Sequence, residues 1–240
     1  MNFLKKHKKL AIFILVIISI YFIYKLNNNN NLTYLALGDG YASGQNSYGI
    51  IDYGYSDYLK DYLKKNNNLN FYTKQFSNND VMITNLYENI IINKKVEHKD
   101  KTINIKQSLR ESSIVTLSIG INDLIYKLSL QENYVTTSKL NKIVNDTYKD
   151  FEILINEIKK YYIGKIYVIG YPRVNIKDNN LNEALRKLND LYRNNEDIIY
   201  IDTYDIFKNN NNYLSNPNSI YPNIKGYKAI SDEIIRNLDK

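Results

Sequence analysis

Apolar positions fall into two kinds of segment along this chain. Short runs dense in Val, Ile, Leu and Tyr occur at Thr33–Leu37, Asn70–Lys74, Ile114–Ser118, Lys165–Gly170 and Ile198–Asp202. Runs of this length bounded by turn residues predict buried strands. Between them, Ser56–Lys65, Asp80–Ile91, Leu140–Tyr161, Asn180–Asn194 and Gly226–Leu238 predict helices. In the longest, Ile143, Tyr148, Phe151, Leu154, Ile155 and Ile158 recur three to four residues apart and make one apolar face. Strands that alternate with helices imply a parallel sheet covered on both sides by right-handed crossovers. The expected fold class is therefore α/β, a three-layer sandwich with a central parallel sheet. The pattern shows no internal repeat and no second domain.

The first 32 residues read differently. Residues 1–9 are short and basic, and Leu10 to Tyr24 is apolar without a charge. At about 1.5 Å per residue these give roughly 22 Å, short of the ~30 Å hydrocarbon core. Lys9 and Lys25 can snorkel to the headgroups, and Tyr21 and Tyr24 suit the interface, so a span is expected. No small-x-small cleavage site follows the run, which favours an uncleaved signal anchor over a removed signal peptide. The expected layout is a cytoplasmic tail at 1–9, a single transmembrane segment at 10–25, an Asn-rich linker at 26–32 and one domain at 33–240. The lysines before the span place that domain outside the cytoplasm, at the cell membrane.

Charge and composition narrow the partners. The 240 residues carry a formal charge of +7. Lys5, Lys6, Lys8, Lys9 and Lys25 supply five of those positive charges before residue 27, where no acid occurs. The remainder is nearly balanced, and no basic stripe with interleaved aromatics points to nucleic acid. With no cysteine, disulfides, thiolate metal sites and a cysteine nucleophile are excluded. Abundant Asn, Lys, Ile and Tyr share A/T-rich codons and indicate a low-GC bacterium. The runs Asn27–Asn31, Asn66–Asn68 and Asn209–Asn212 then read as tolerant loops.

Candidate chemistry begins at Tyr34–Gly44, an apolar run ending in Gly38-Asp39-Gly40-Tyr41-Ala42-Ser43-Gly44. It resembles the first block of the SGNH (GDSL-type) hydrolases, in which Gly-Asp-Ser carries the nucleophile, and here Gly40 stands at the serine position. Asp39 is retained and can bond the turn's own backbone. Ser43 lies three residues on. The family's second block, a glycine whose N–H serves the oxyanion, has no counterpart, since no glycine lies between Gly54 and Gly120. Ser77-Asn78-Asn79-Asp80 sits about where that block belongs.

Ile114–Leu124, ending Gly120-Ile121-Asn122-Asp123-Leu124, resembles the family's strand followed by Gly-x-Asn-Asp. The resemblance implies that the Asn122 amide faces a developing oxyanion, while Asp123 can instead cap the following segment. Near the C-terminus the family pattern is Asp-x-x-His-Pro-Asn, then Gly-Tyr. The chain reads Asn218-Ser219-Ile220-Tyr221-Pro222-Asn223, then Gly226-Tyr227. Asn218 replaces the aspartate and Tyr221 the histidine. Tyrosine, with a pKa near 10, is a poor general base at neutral pH. Of the two histidines, His7 lies before the expected span and His98 in the polar stretch Lys94–Lys101, expected to be a solvated loop.

The resemblance spans about residues 33–238 and implies the three-layer fold and an ester-hydrolase ancestry without a cofactor. The triad positions imply a pseudoenzyme that binds an envelope glycan, an acyl ligand or a protein partner. In that case Gly40 N–H and the Asn122 amide would hold a carbonyl or hydroxyl, with Asp39, Ser43, Ser77, Asn79 and Asp123 around them. Tyr41, Tyr48 and Tyr221 would stack on the ligand. Two alternatives stand beside it: an active esterase or lipase using Ser43 or Ser77, and a structural or regulatory partner of an active enzyme.

Overall fold

The computed structural model describes residues 32–240 apart from 132–134, 175–178, 209 and 239–240, together with Ile17 and Ser19. The five apolar runs form one parallel sheet: β1 (Leu32–Gly38), β2 (Leu69–Thr73), β5 (Ile114–Ser118), β6 (Ile166–Ile169) and β7 (Ile198–Ile201). Their order is β2-β1-β5-β6-β7, and every pairing is parallel. All five residues of β5 are buried, as befits the middle strand of a sheet covered on both faces.

The helices are α1 (Gly40–Ser43), α2 (Tyr55–Asn66), α3 (Ile83–Ile91), α4 (Ile105–Glu111), α5 (Ile121–Ser129), α6 (Thr137–Lys159), α7 (Asn179–Arg193), α8 (Tyr204–Lys208) and α9 (Ile224–Leu238). Helix α2 packs on α9 to form one layer. Helix α6 packs on α3, α5 and α7 to form the other. The expected face of α6 holds, with Ile143, Phe151, Leu154, Ile155 and Ile158 buried. Leu32–Lys240 makes one compact unit.

The chain departs from its sequence pattern between α3 and β5. Residues Lys95–His98 and Lys101–Asn104 pair as an antiparallel hairpin, β3 and β4. His98 is therefore not in a solvated loop. It is half-buried against the Phe71 ring, with centroids 5.0 Å apart, and burial pushes its pKa down. The expected helix at Asp80–Ile91 starts only at Ile83, because residues 79–81 are held elsewhere, as the site geometry shows.

Among the described residues no helix is long and apolar enough to cross a membrane. The expected span at 10–25 lies outside the described residues, save Ile17 and Ser19.

Strand order has one functional consequence. The chain leaves β1 toward β2 on one side and later returns to β5 on the other. The loops after β1 and β5 therefore diverge at the carboxyl edge, the topological switch point where open α/β sheets bind ligands. Gly38 pairs with Ser118, so the two loops begin at the same level.

Candidate functional site at the switch point

The turn after β1 requires glycine. Gly38 has φ of +124°, and a Cβ there would lie 1.8 Å from the Ser118 carbonyl oxygen. A strand can reverse into a helix at this distance from its neighbour only without a side chain. Asp39 follows as the N-cap of α1, its Oδ1 accepting from the Tyr41 N–H at 3.0 Å. Ser118 Oγ donates to the same oxygen at 2.6 Å, and the Tyr171 hydroxyl donates to Oδ2. Asp39 is fully buried. Burial raises its pKa to about 6, against the pull of the three donors. Its role is structural: one carboxylate ties together the ends of β1 and β5 and the segment after β6.

Gly40 stands where the resemblance places a nucleophile. A Cβ built on it would lie 2.4 Å from Cε1 and 2.7 Å from the hydroxyl oxygen of Tyr221. The Tyr221 ring thus fills the volume in which a serine side chain would begin. The two positions are complementary in space: the absence of a side chain at 40 leaves room for the ring at 221. Gly40 N–H is at the first position of α1, where no intrahelical acceptor exists.

Four tyrosines close around this turn. Tyr41 is fully buried and donates to the Ile220 carbonyl at 2.6 Å. Its ring centroid lies 5.3 Å from Tyr171, 5.7 Å from Tyr221 and 6.1 Å from Tyr227. Aromatic pairs at this separation and tilt add to the stability from burial alone. Tyr227 hydroxyl donates to the Gln45 carbonyl. Tyr41 is therefore core and cannot stack on a ligand, whereas Tyr48 is 82% exposed on the loop beyond α1. Burial, then the Asp39 charge, raise the pKa of Tyr221. The hydroxyl stays protonated and is a still poorer base than free tyrosine.

The other candidates are brought nearby but are engaged. Ser43 Oγ donates to the Gly40 carbonyl at 3.2 Å, inside α1. Ser77 Oγ donates to the Ala36 carbonyl at 3.0 Å, and Asn78 N–H to the Gly38 carbonyl at 3.1 Å, which lashes this loop to β1. Asn122 Nδ2 donates to the carbonyls of Asn79 at 2.7 Å and Val81 at 2.9 Å. Both amide hydrogens are thereby spent on the loop before α3. Asp123, also buried, accepts from the Ile83 N–H at 3.1 Å. It caps α3, a different helix from the one it begins. Burial raises its pKa to about 6 as well. Asn218 lies exposed, its N–H bonded to Asn216 Oδ1 at 2.9 Å.

Ser118 and Tyr171, which hold Asp39, are the residues the motifs did not single out. Each closes or follows an apolar run at the carboxyl edge, the only signal available before strand order was known.

The turn after β1, the loop before α3 and the segment around Tyr221 thus meet at the switch point, with the Tyr221 ring against Gly40. The sequence model of the GDSL-like lipase/acylhydrolase family matches residues 34–234, and the chain belongs to that family. No curated protein matches it. Solved structures do. A lipase from a goat rumen metagenome superposes with a TM-score of 0.67 at 17% identity, covering 85% of this chain and 96% of that one. The acetylxylan esterase Axe2 from Geobacillus stearothermophilus gives 0.59 at 15%, over 87% and 94%. A G-D-S-L family lipolytic protein from Veillonella parvula gives 0.58 at 15%, over 87% and 99%. At these identities the likeness concerns the fold.

Proposed function

We propose that this chain is a noncatalytic member of its family, anchored in the cell membrane with its domain outside the cytoplasm, and that it works by binding. The observation that supports this most is the Tyr221 ring beside Gly40, in the space a nucleophilic side chain needs. Acyl transfer requires a nucleophile and a base within hydrogen-bond reach of it. Among the described residues no histidine bonds Ser43 or Ser77, and each hydroxyl already donates to a backbone carbonyl. The Asn122 amide is likewise spent on loop carbonyls, which removes the side-chain oxyanion donor the family pattern implies. The partner is an envelope component: a glycan, an acyl group or a protein. The filled crevice favours contact at the surface over insertion of a substrate at Gly40. The N-terminal pattern of a basic tail followed by an apolar segment supports the membrane location.

A serine-directed fluorophosphonate tests the catalytic half of this reading. The native chain is expected to remain unlabelled under conditions that label an active serine hydrolase to completion. Stoichiometric labelling that disappears in Ser43→Ala or Ser77→Ala would instead establish the alternative, an esterase with a relocated nucleophile.

A further inference from the structure

The opposite edge of the sheet carries a second surface. Because all five strands are parallel, their amino ends lie together, and so do the carboxyl ends of α4 and α6, which lead into β5 and β6. Ile91 and Ile92 end α3, and both are exposed. Lys106, in the first turn of α4, donates to the Ile91 carbonyl at 3.1 Å. The same ammonium lies 5.2 Å from the Tyr161 ring centroid, and the Arg110 guanidinium lies 5.0 Å from it. Two residues beyond Tyr161, Ile163 is fully exposed in the loop between α6 and β6. Lys106 and Arg110 thus meet over the Tyr161 ring, with Ile91 and Ile92 at the carbonyl that Lys106 reaches and Ile163 two residues along the chain from the ring.

The patch is basic as well as apolar. Lys106 and Arg110 have no carboxylate within salt-bridge distance among the described residues; Lys160 pairs with Glu157 at 2.6 Å, and Lys165, exposed two residues beyond Ile163, donates to the Glu196 carbonyl near Asp197, which pairs with Lys159. A lone exposed isoleucine needs no explanation, but several beside unpaired cations do. This composition matches a surface that rests on anionic headgroups, with apolar tips in the interface and cations at the phosphates.

The patch also lies where the upstream chain enters the fold. Tyr162 hydroxyl donates to the Ser113 carbonyl at 3.2 Å. Ser113 N–H in turn donates to the Thr33 carbonyl at 2.9 Å, one residue after β1 begins. The apolar segment 10–24 ends only eight residues before Leu32, a length that spans at most about 28 Å.

We propose that this amino-end surface docks the domain onto the anionic lipid surface of its own membrane, through Ile91, Ile92 and Ile163 with Lys106, Arg110 and Lys165. The inference rests on the membrane location proposed above. Docking would leave the Gly40–Tyr221 edge facing away from the bilayer and available to a partner.

The absence of native cysteine makes the test direct. The full-length Ile163→Cys variant carries a single environment-sensitive fluorophore and is mixed with phosphatidylcholine vesicles, with or without phosphatidylglycerol. A Tyr48→Cys variant reports the opposite edge. Phosphatidylglycerol is expected to blue-shift and intensify emission at position 163 but not at 48. High salt should reverse the change, since it screens exposed charges. Lys165→Gln and the pair Lys106→Gln and Arg110→Gln should weaken it by about fivefold for each cation removed.

No phosphatidylglycerol-dependent change at position 163 would overturn docking, as would an equal change at 48. A change produced only by soluble polyphosphate would mark a polyanion site and overturn lipid docking too. Failure of the chain to float with pure phosphatidylcholine would refute the anchor. In that case a phosphatidylglycerol-specific change at 163 would still support docking.

Discussion

At pH 4.5, where burial keeps the Asp39 carboxyl largely protonated in the folded state, Asp39→Ala is expected to lower the stability of the domain by about 3–7 kcal/mol. The substitution removes the N-cap acceptor of α1, an effect of typically ~1 kcal/mol. It also leaves two buried hydroxyls, on Ser118 and Tyr171, without their acceptor, at about 1–3 kcal/mol each. Asp39→Asn keeps the shape and an acceptor for Ser118 and should cost far less. Urea unfolding of the two variants beside the native chain separates loss of the network from loss of its charge.

The same carboxylate sets a pH dependence. Burial raises Asp39 and Asp123 to about 6 from 3.8. The folded state therefore holds these protons more tightly than the unfolded chain. Between pH ~4 and ~6 the native state binds more protons, so stability falls as pH rises through that window and levels off above it. Each group contributes about 3 kcal/mol to the change. Asp146, Glu183 and Asp197 shift the other way through ion pairs, but these pairs are exposed and weak. The urea midpoint should be higher at pH 4.5 than at pH 7, and Asp39→Asn should remove roughly half of that difference. A midpoint that rises from pH 4.5 to 7 would contradict the burial of both charges.

Gly40 and Tyr221 are expected to behave as a coupled pair. Gly40→Ser alone places Cβ inside contact distance of a ring held by Tyr41, and overpacking of this kind costs about 1–3 kcal/mol. Tyr221→His alone vacates part of the volume and is destabilising by a similar amount. The double variant should be more stable than the sum of the single effects predicts by about 1–2 kcal/mol, as for residues in contact. Additivity in a denaturation cycle would mean that the ring moves aside freely and does not fill the site.

How far the sequence disclosed this architecture depends on the element. The five sheet strands were legible because each is an apolar run between turn residues, the signature of a strand buried on both faces. The hairpin at 95–104 was not. Lys-Val-Glu-His and Lys-Thr-Ile-Asn each carry a single apolar residue, Val96 and Ile103, in four positions, too little pattern to distinguish from loop. Helix α5 is nine residues long and was obscured by the motif it begins with.

In the site, Gly40, Asn122, Asn218 and Tyr221 were found as departures from, or matches to, a spaced pattern. Their surroundings were not legible, because contacts between residues 40 and 221 or 39 and 171 depend on strand order. The exchange of serine for glycine and histidine for tyrosine did offer one clue. One side chain shrinks while the other grows, as neighbours in a packed interior must. Asn122 shows the opposite case. It matches the Gly-x-Asn-Asp pattern, but its two donors serve a loop that no local pattern placed beside it.

The most direct test of the central claim is ester hydrolysis by the native full-length chain. It would be followed with p-nitrophenyl acetate beside the Gly40→Ser, Asn218→Asp, Tyr221→His triple variant. A site filled by Tyr221 predicts no saturable turnover by the native chain, and the triple variant shows whether the restored groups suffice for any. Saturable native turnover that scales with protein and vanishes on unfolding would contradict the account, and would mean that a nucleophile other than residue 40 attacks the ester.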